Sequence, residues 1–107
     1  MHTLYLLAPR SKNNPSSRHR DFYTILANGV GPDYGISTGQ MGQIHSGMPV
    51  ILFDRDRALQ ARGTVTSCSA TTRAANGVQR YNVTVRGFSR EPYTHPPRMN
   101  RFGVAIY

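Results

Sequence analysis

Apolar residues in this chain come in short bursts whose spacing changes along its length. Leu4–Ala8 is one continuous run, which predicts an opening strand buried on both faces and stopped by Pro9. Ser17–Asn28 switches to a helical period, with Phe22, Ile25 and Leu26 at i, i+3 and i+4 forming one stripe. Ser16 or Ser17 can cap that helix, and Gly29 suits the left-handed position just past its end. From Pro49 onward the pattern is that of strands. Val50–Phe53 reads as a strand covered on both sides, and the Asp-rich Asp54–Arg57 as the turn that follows it. Leu59–Cys68 continues with Gly63 as a bulge or corner. The polar stretch Ser69–Val78 closes on Asn76-Gly77, the strongest short hairpin signal in the chain. Gln79–Arg86 alternates, with Tyr81, Val83 and Val85 on one face and Asn82, Thr84 and Arg86 on the other. Phe88–Arg101 is rich in Pro and Arg, and Phe102–Tyr107 forms a last strand.

Between the helix and these strands lies Gly31–Gly47, with glycines at 31, 35, 39, 42 and 47. It reads as a long loop, with a single helical turn at Met41–Ile44. A loop of this length in a small domain points to function. The element order is strand, helix, long loop, then four strands. Short antiparallel strands with glycine at their corners predict an α+β, mainly β fold: a small antiparallel pseudo-barrel with one or two helices packed at its openings. A length of 107 residues, with no repeat and no low-complexity tract, predicts a single domain over residues 1–107.

Charge changes the picture. Twelve arginines and Lys12 face five acidic residues, giving a formal net charge of +8 and a pI near 10.6. Arginine presents a planar fork that grips phosphate bidentately and stacks on rings, so this bias points to a polyanion partner, most simply nucleic acid. The bland alternative is a genome that favours arginine codons. The longest apolar run, Met48–Phe53, is interrupted by Pro49 and is far short of a membrane span. Leu4–Ala8 is too short for a secretory signal. The single cysteine, Cys68, excludes an internal disulfide and a multi-cysteine zinc site. A cytoplasmic protein is expected, with Cys68 a small buried hydrophobe. His2, His19, His45 and His95 show no metal-ligand spacing, so neither metal nor other cofactor is expected.

The order of elements has a counterpart among known folds. Leu4-Tyr5-Leu6-Leu7-Ala8, then a helix ending in Asn28-Gly29-Val30 and a Gly-rich loop, precede Ile44-His45-Ser46-Gly47-Met48-Pro49-Val50-Ile51-Leu52-Phe53, followed by Ala61-Arg62-Gly63-Thr64-Val65. This resembles the PUA-like superfamily and, within it, the EVE-type modified-base-binding domains. The resemblance implies a pseudo-barrel that binds nucleic acid and accepts one modified base in a pocket. It also implies an association with nucleases, since such modules occur at the front of modification-dependent restriction enzymes. Met48 stands where the family usually has an aspartate. The chain has no Trp, so any base cage falls to Tyr or Phe. The Gly-x-Lys-x-x-x-x-Arg signature of the neighbouring ASCH group is missing.

Candidate site residues follow. Extruding a base requires rings to replace its stacking partners and polar groups to replace its pairing edge. Tyr34 in the Gly-rich loop is the first candidate ring and Tyr23 the second. Gly35 would let backbone approach a ligand, and Ser37, Thr38 and Gln40 would read a base edge. Equally, Tyr34 could pack over the barrel mouth and Tyr23 flank the helix stripe. Phosphate would be held by Arg10, Lys12, Arg18 and Arg20, and by Arg86, Arg90, Arg98 and Arg101, two groups that merge if the first and last strands pair. Arg55 and Arg57 alternate with Asp54 and Asp56 and are expected to neutralise them. The function expected is recognition of a modified base, most simply a methylated base in DNA rather than RNA. The domain itself would have no catalytic activity. Two other classes stand beside it. One is a small metal-independent ribonuclease, with Glu91 or His45 as base, His95 as acid and Arg90 or Arg98 as stabiliser. The other is an adaptor or inhibitor that binds an acidic protein.

Overall fold

Among the described residues six strands form one curled sheet around the apolar positions that the pattern singled out, with two helices beside it. The computed structural model describes residues 2–8, 21–73, 78–100 and 102–107. In chain order the elements are β1 (Leu4–Leu7), α1 (Phe22–Asn28), β2 (Val30–Gly35), α2 (Thr38–Met41), β3 (Pro49–Asp54), β4 (Leu59–Arg73), β5 (Gln79–Arg90) and β6 (Val104–Ile106). The strand order across the sheet is β2-β5-β4-β3-β1-β6. β1 runs parallel to β3, and the remaining neighbours are antiparallel. A parallel pair needs a long crossover, which here contains α1, β2 and α2. The first and last strands do pair, with Tyr5 opposite Ala105. The fold is therefore α+β, mainly β, with the strands wrapped as a partial barrel.

Leu4, Leu6, Phe22, Ile25, Val50, Leu52, Val65, Val83 and Val104 fill the core. Each such side chain contributes about 1.5–3 kcal/mol by leaving water. β3 is buried from Val50 through Asp54, as a continuous apolar run requires. Among the described residues no buried side-chain nitrogen or oxygen lacks a hydrogen-bond partner. None of the described helices is long and apolar enough to cross a membrane.

Helix α1 starts at Asp21, whose carboxylate accepts the Thr24 N–H at 2.8 Å. It ends at Gly29, in the left-handed conformation (φ 71°), whose N–H donates to the Ile25 carbonyl. Ser16 and Ser17, the expected caps, lie outside the described residues. In the Asp54–Arg57 turn the expected neutralisation is seen at Arg57. Arg57 donates through Nε to Asp54 at 2.7 Å and through a terminal nitrogen to Asp21 at 3.2 Å. Gly63 sits at a register shift between β4 and β5. β4 and β5 run well beyond their expected ends, and Asn76-Gly77 lies outside the described residues.

The long loop expected over Gly31–Gly47 is not one. It contains β2 and α2. Gly31 pairs with Val83 and Tyr34 with Tyr81, so three steps on β2 match two on β5. Pro32 and Asp33 (φ 57°) form that bulge and break the alternation that would have marked a strand. The helical turn falls at Thr38–Met41, earlier than Met41–Ile44, because Ser37 and Gln40 form a reciprocal capping box.

Candidate nucleic-acid interface

The two ends of the sheet, β2 and β6, approach one another through side chains. Tyr34 donates its hydroxyl to the Leu7 carbonyl at 3.1 Å. Phe102, just before β6, lies against Gly35 at the end of β2, where a Cβ would meet ring atoms at 2.7–3.0 Å. Asn100 secures this turn. Its side-chain oxygen accepts the N–H groups of Phe102 and Val104, and its backbone exchanges bonds with Val104 and Gly103.

A recess of about 360 Å³ opens at the seam. Its wall is Gly35–Thr38 on one side, Val78, Gln79 and Tyr81 on the second, and Asn100 and Phe102 on the third. Two half-buried rings, Tyr81 and Phe102, supply its aromatic surface. The Arg80 guanidinium lies 4.8 Å from the centre of the Phe102 ring and donates to the Asp33 carbonyl at 3.3 Å. Ser37 accepts the Gln40 N–H and keeps its own hydrogen to donate. Gln79 spends its amide hydrogens on the carbonyls of Thr71 and Arg80.

The expected pocket residues divide accordingly. Gly35, Ser37 and Thr38 line the recess, and Gln40 braces Ser37 from behind. Tyr34 does not line it: the side chain is 1% exposed and belongs to the core, because its hydroxyl is spent on Leu7. Tyr23 is exposed at the other end of the barrel, flanked by the guanidiniums of Arg57 (5.1 Å) and Arg90 (5.9 Å). The rings at the recess are Tyr81 and Phe102, which sequence reasoning placed only as strand residues. A ring beside an Arg at each end of the chain's last hairpin and strand was the available signal, but only the curl of the sheet joins them.

The expected phosphate ligands also separate. Arg10, Lys12, Arg18, Arg20 and Arg101 lie outside the described residues. Arg86 is exposed on the outer face of β5. Arg90 is turned the other way. Arg62 pairs with Ser89 and Thr64 with Arg86, so β5 carries one extra residue there, at Gly87 (φ 68°). This bulge swings Arg90 over Phe22 at 5.5 Å, at the start of α1. Arg98 is exposed and offers its carbonyl to the Tyr107 hydroxyl at 2.8 Å. A second, more open recess of about 400 Å³ lies near Arg62, Ser89 and Arg90.

The residues of the ribonuclease alternative are engaged or apart. Glu91 pairs with Arg62 at 3.1 Å and accepts from the buried Gln60 amide. Gln60 in turn accepts the Thr94 N–H and hydroxyl, at 2.7 and 3.0 Å, and so ties the 91–94 segment to β4. His95 lies edge-on to Tyr93, and His45 is exposed with Nδ1 3.0 Å from the Ser46 carbonyl. Cys68 packs against the core, and burial pushes its thiol pKa up. Among the described residues no group of three or more His, Cys, Asp or Glu could hold a metal ion. Searches of family models, curated proteins and solved structures return no match to this chain.

Proposed function

We propose that this protein binds nucleic acid and reads one modified base, most simply a methylated base in DNA, extruded into the recess at the seam. The observation that carries this reading is the recess itself, lined by Tyr81 and Phe102 with Arg80 against the Phe102 ring. Its volume sits at the lower end of the roughly 300–1,000 Å³ range of small-ligand sites, which suits one base better than a larger ligand. Rings offset the lost stacking of an extruded base by about 1–3 kcal/mol per base. Ser37, Thr38, Gln79 and Asn100 supply donors and acceptors at its rim for a base edge. The net charge of +8 supports a polyanion as the larger partner. The PUA-like resemblance, with a base pocket built from rings other than Trp, fits the same reading. Cleavage would belong to a separate or fused nuclease.

The test is fluorescence anisotropy with methylated and plain duplex oligonucleotides at two salt concentrations. Binding should favour one modified duplex, and Phe102→Ala or Tyr81→Ala should remove that preference while leaving salt-dependent binding to plain DNA. Equal affinity for every duplex in the wild-type protein would refute base reading.

A further inference from the structure

We infer that the outer face of the β4–β5 hairpin is a track for the phosphodiester backbone of the strand whose base enters the recess, an inference that rests on the reading above. The register defines this face. Val65 opposite Val85 and Cys68 opposite Val83 point into the core. The intervening pairs, Thr64 with Arg86, Ser67 with Thr84 and Ser69 with Asn82, therefore point outward. The bulge between Val65 and Ser67 keeps them in step by shifting β4 one residue, so hydroxyls rather than apolar groups stay on the outside.

Going along β5 from Arg86, the outward positions are Thr84, Asn82 and Arg80, and Arg80 rests on Phe102 at the recess. The face thus has a cation at each end and hydroxyl and amide groups between. These are the side chains that contact phosphate and sugar without reading sequence. At about 3.3 Å per residue, Arg80 and Arg86 are roughly 20 Å apart along β5. Among the described residues no carboxylate is bonded to Arg86. Among the described residues of β2, β4 and β5 the one acid is Asp33 of β2, whose Oδ1 accepts the Thr71 hydroxyl. An anionic polymer is the complementary partner for such a face.

The experiment is the dependence of affinity on salt for plain and methylated duplexes, with wild-type, Arg86→Ala and Ser69→Glu proteins. Arg86→Ala should reduce the slope of log K against log salt by about 0.9, the value of one phosphate contact, and leave the methylated-to-plain ratio unchanged. Ser69→Glu, at an exposed position, should lower affinity for both duplexes at least tenfold at low salt. Arg57→Ala removes a cation of the opposite end and should leave the slope unchanged. An unaltered slope in Arg86→Ala, with DNA still bound, overturns the track and leaves base reading standing. Loss of the methylated preference in the wild-type protein, with the Arg86 effect intact, overturns base reading and leaves the track. Absence of binding to any duplex overturns both.

Discussion

Adding one methyl group at Gly35 should disturb the recess more than any other change of that size. The backbone there does not adopt positive φ, so alanine is conformationally acceptable and the effect is purely steric. The new Cβ would lie 2.7, 2.9 and 3.0 Å from three ring atoms of Phe102. Carbon atoms pack best at about 3.5–4.0 Å, so the ring must withdraw by roughly 1 Å. Overpacking costs about 1–3 kcal/mol in a closed core. Phe102 is only half-buried, which places Gly35→Ala near the lower end, about 1–1.5 kcal/mol. With roughly 2.1 cal/mol/K of unfolding entropy per residue over this chain length, the melting temperature should fall by about 4–7 °C. The moving ring also leaves Arg80 and fills the recess. The assays are thermal unfolding by circular dichroism, the NMR ring-current shift of the Arg80 side chain and binding of the methylated duplex. Gly39→Ala is the matched control, since a Cβ there meets nothing within 4 Å, and its stability should change by less than about 1 kcal/mol. An unchanged melting temperature with unchanged Arg80 shifts in Gly35→Ala would refute the claimed contact.

Two further predictions concern what holds the rest of the fold. Gln60→Leu removes the acceptor of Thr94 and the donor to Glu91, groups that water reaches in part, so urea unfolding should show a loss of about 1.5–3 kcal/mol; an unchanged midpoint would mean that the 91–94 segment is not held there. Burial pushes the Asp21 carboxyl up, but bonds from the Thr24 side chain and backbone and from Arg57 outweigh it and hold its pKa below the ordinary 3.8. Its folded pKa is depressed, so its contribution is present above pH 4 and is lost as pH falls through the folded value. Asp21→Ala should therefore cost about 0.5–2 kcal/mol at pH 7 and less at pH 2, whereas Asp21→Asn keeps the cap and costs less at pH 7; equal losses at both pH values would contradict this assignment.

Much of the fold was legible because its signals are local. Val50–Phe53 reads as a doubly covered strand from composition alone, and β5 from the alternation of Tyr81, Val83 and Val85. Gly29 announced the end of α1 because only the left-handed region terminates a helix in that way. β2 was not legible, because Pro32 and the left-handed Asp33 bulge a strand that neighbouring β5 nevertheless holds. Propensity disfavoured it and pairing overrode the propensity. The candidate site was half legible. Gly35, Ser37 and Thr38, read in a long loop, line the recess, but Tyr34, read in the same loop, stands on the bulged strand β2. On a strand each step reverses the face, and the bulge sends that ring inward.

The amino-acid order by itself determined the basic charge, the mainly β character and the apolar positions of the core, since these depend on residue identity and short-range period. The tertiary structure alone decided which rings meet and which arginines share a face. Tyr81 and Phe102 are distant in sequence and touch one recess because the sheet curls until its two edges approach. Arg86 and Arg90 are four residues apart and face opposite ways because a single extra residue at Gly87 reverses the strand. Side-chain direction in a sheet depends on register, and register is a property of the paired strands rather than of either strand alone.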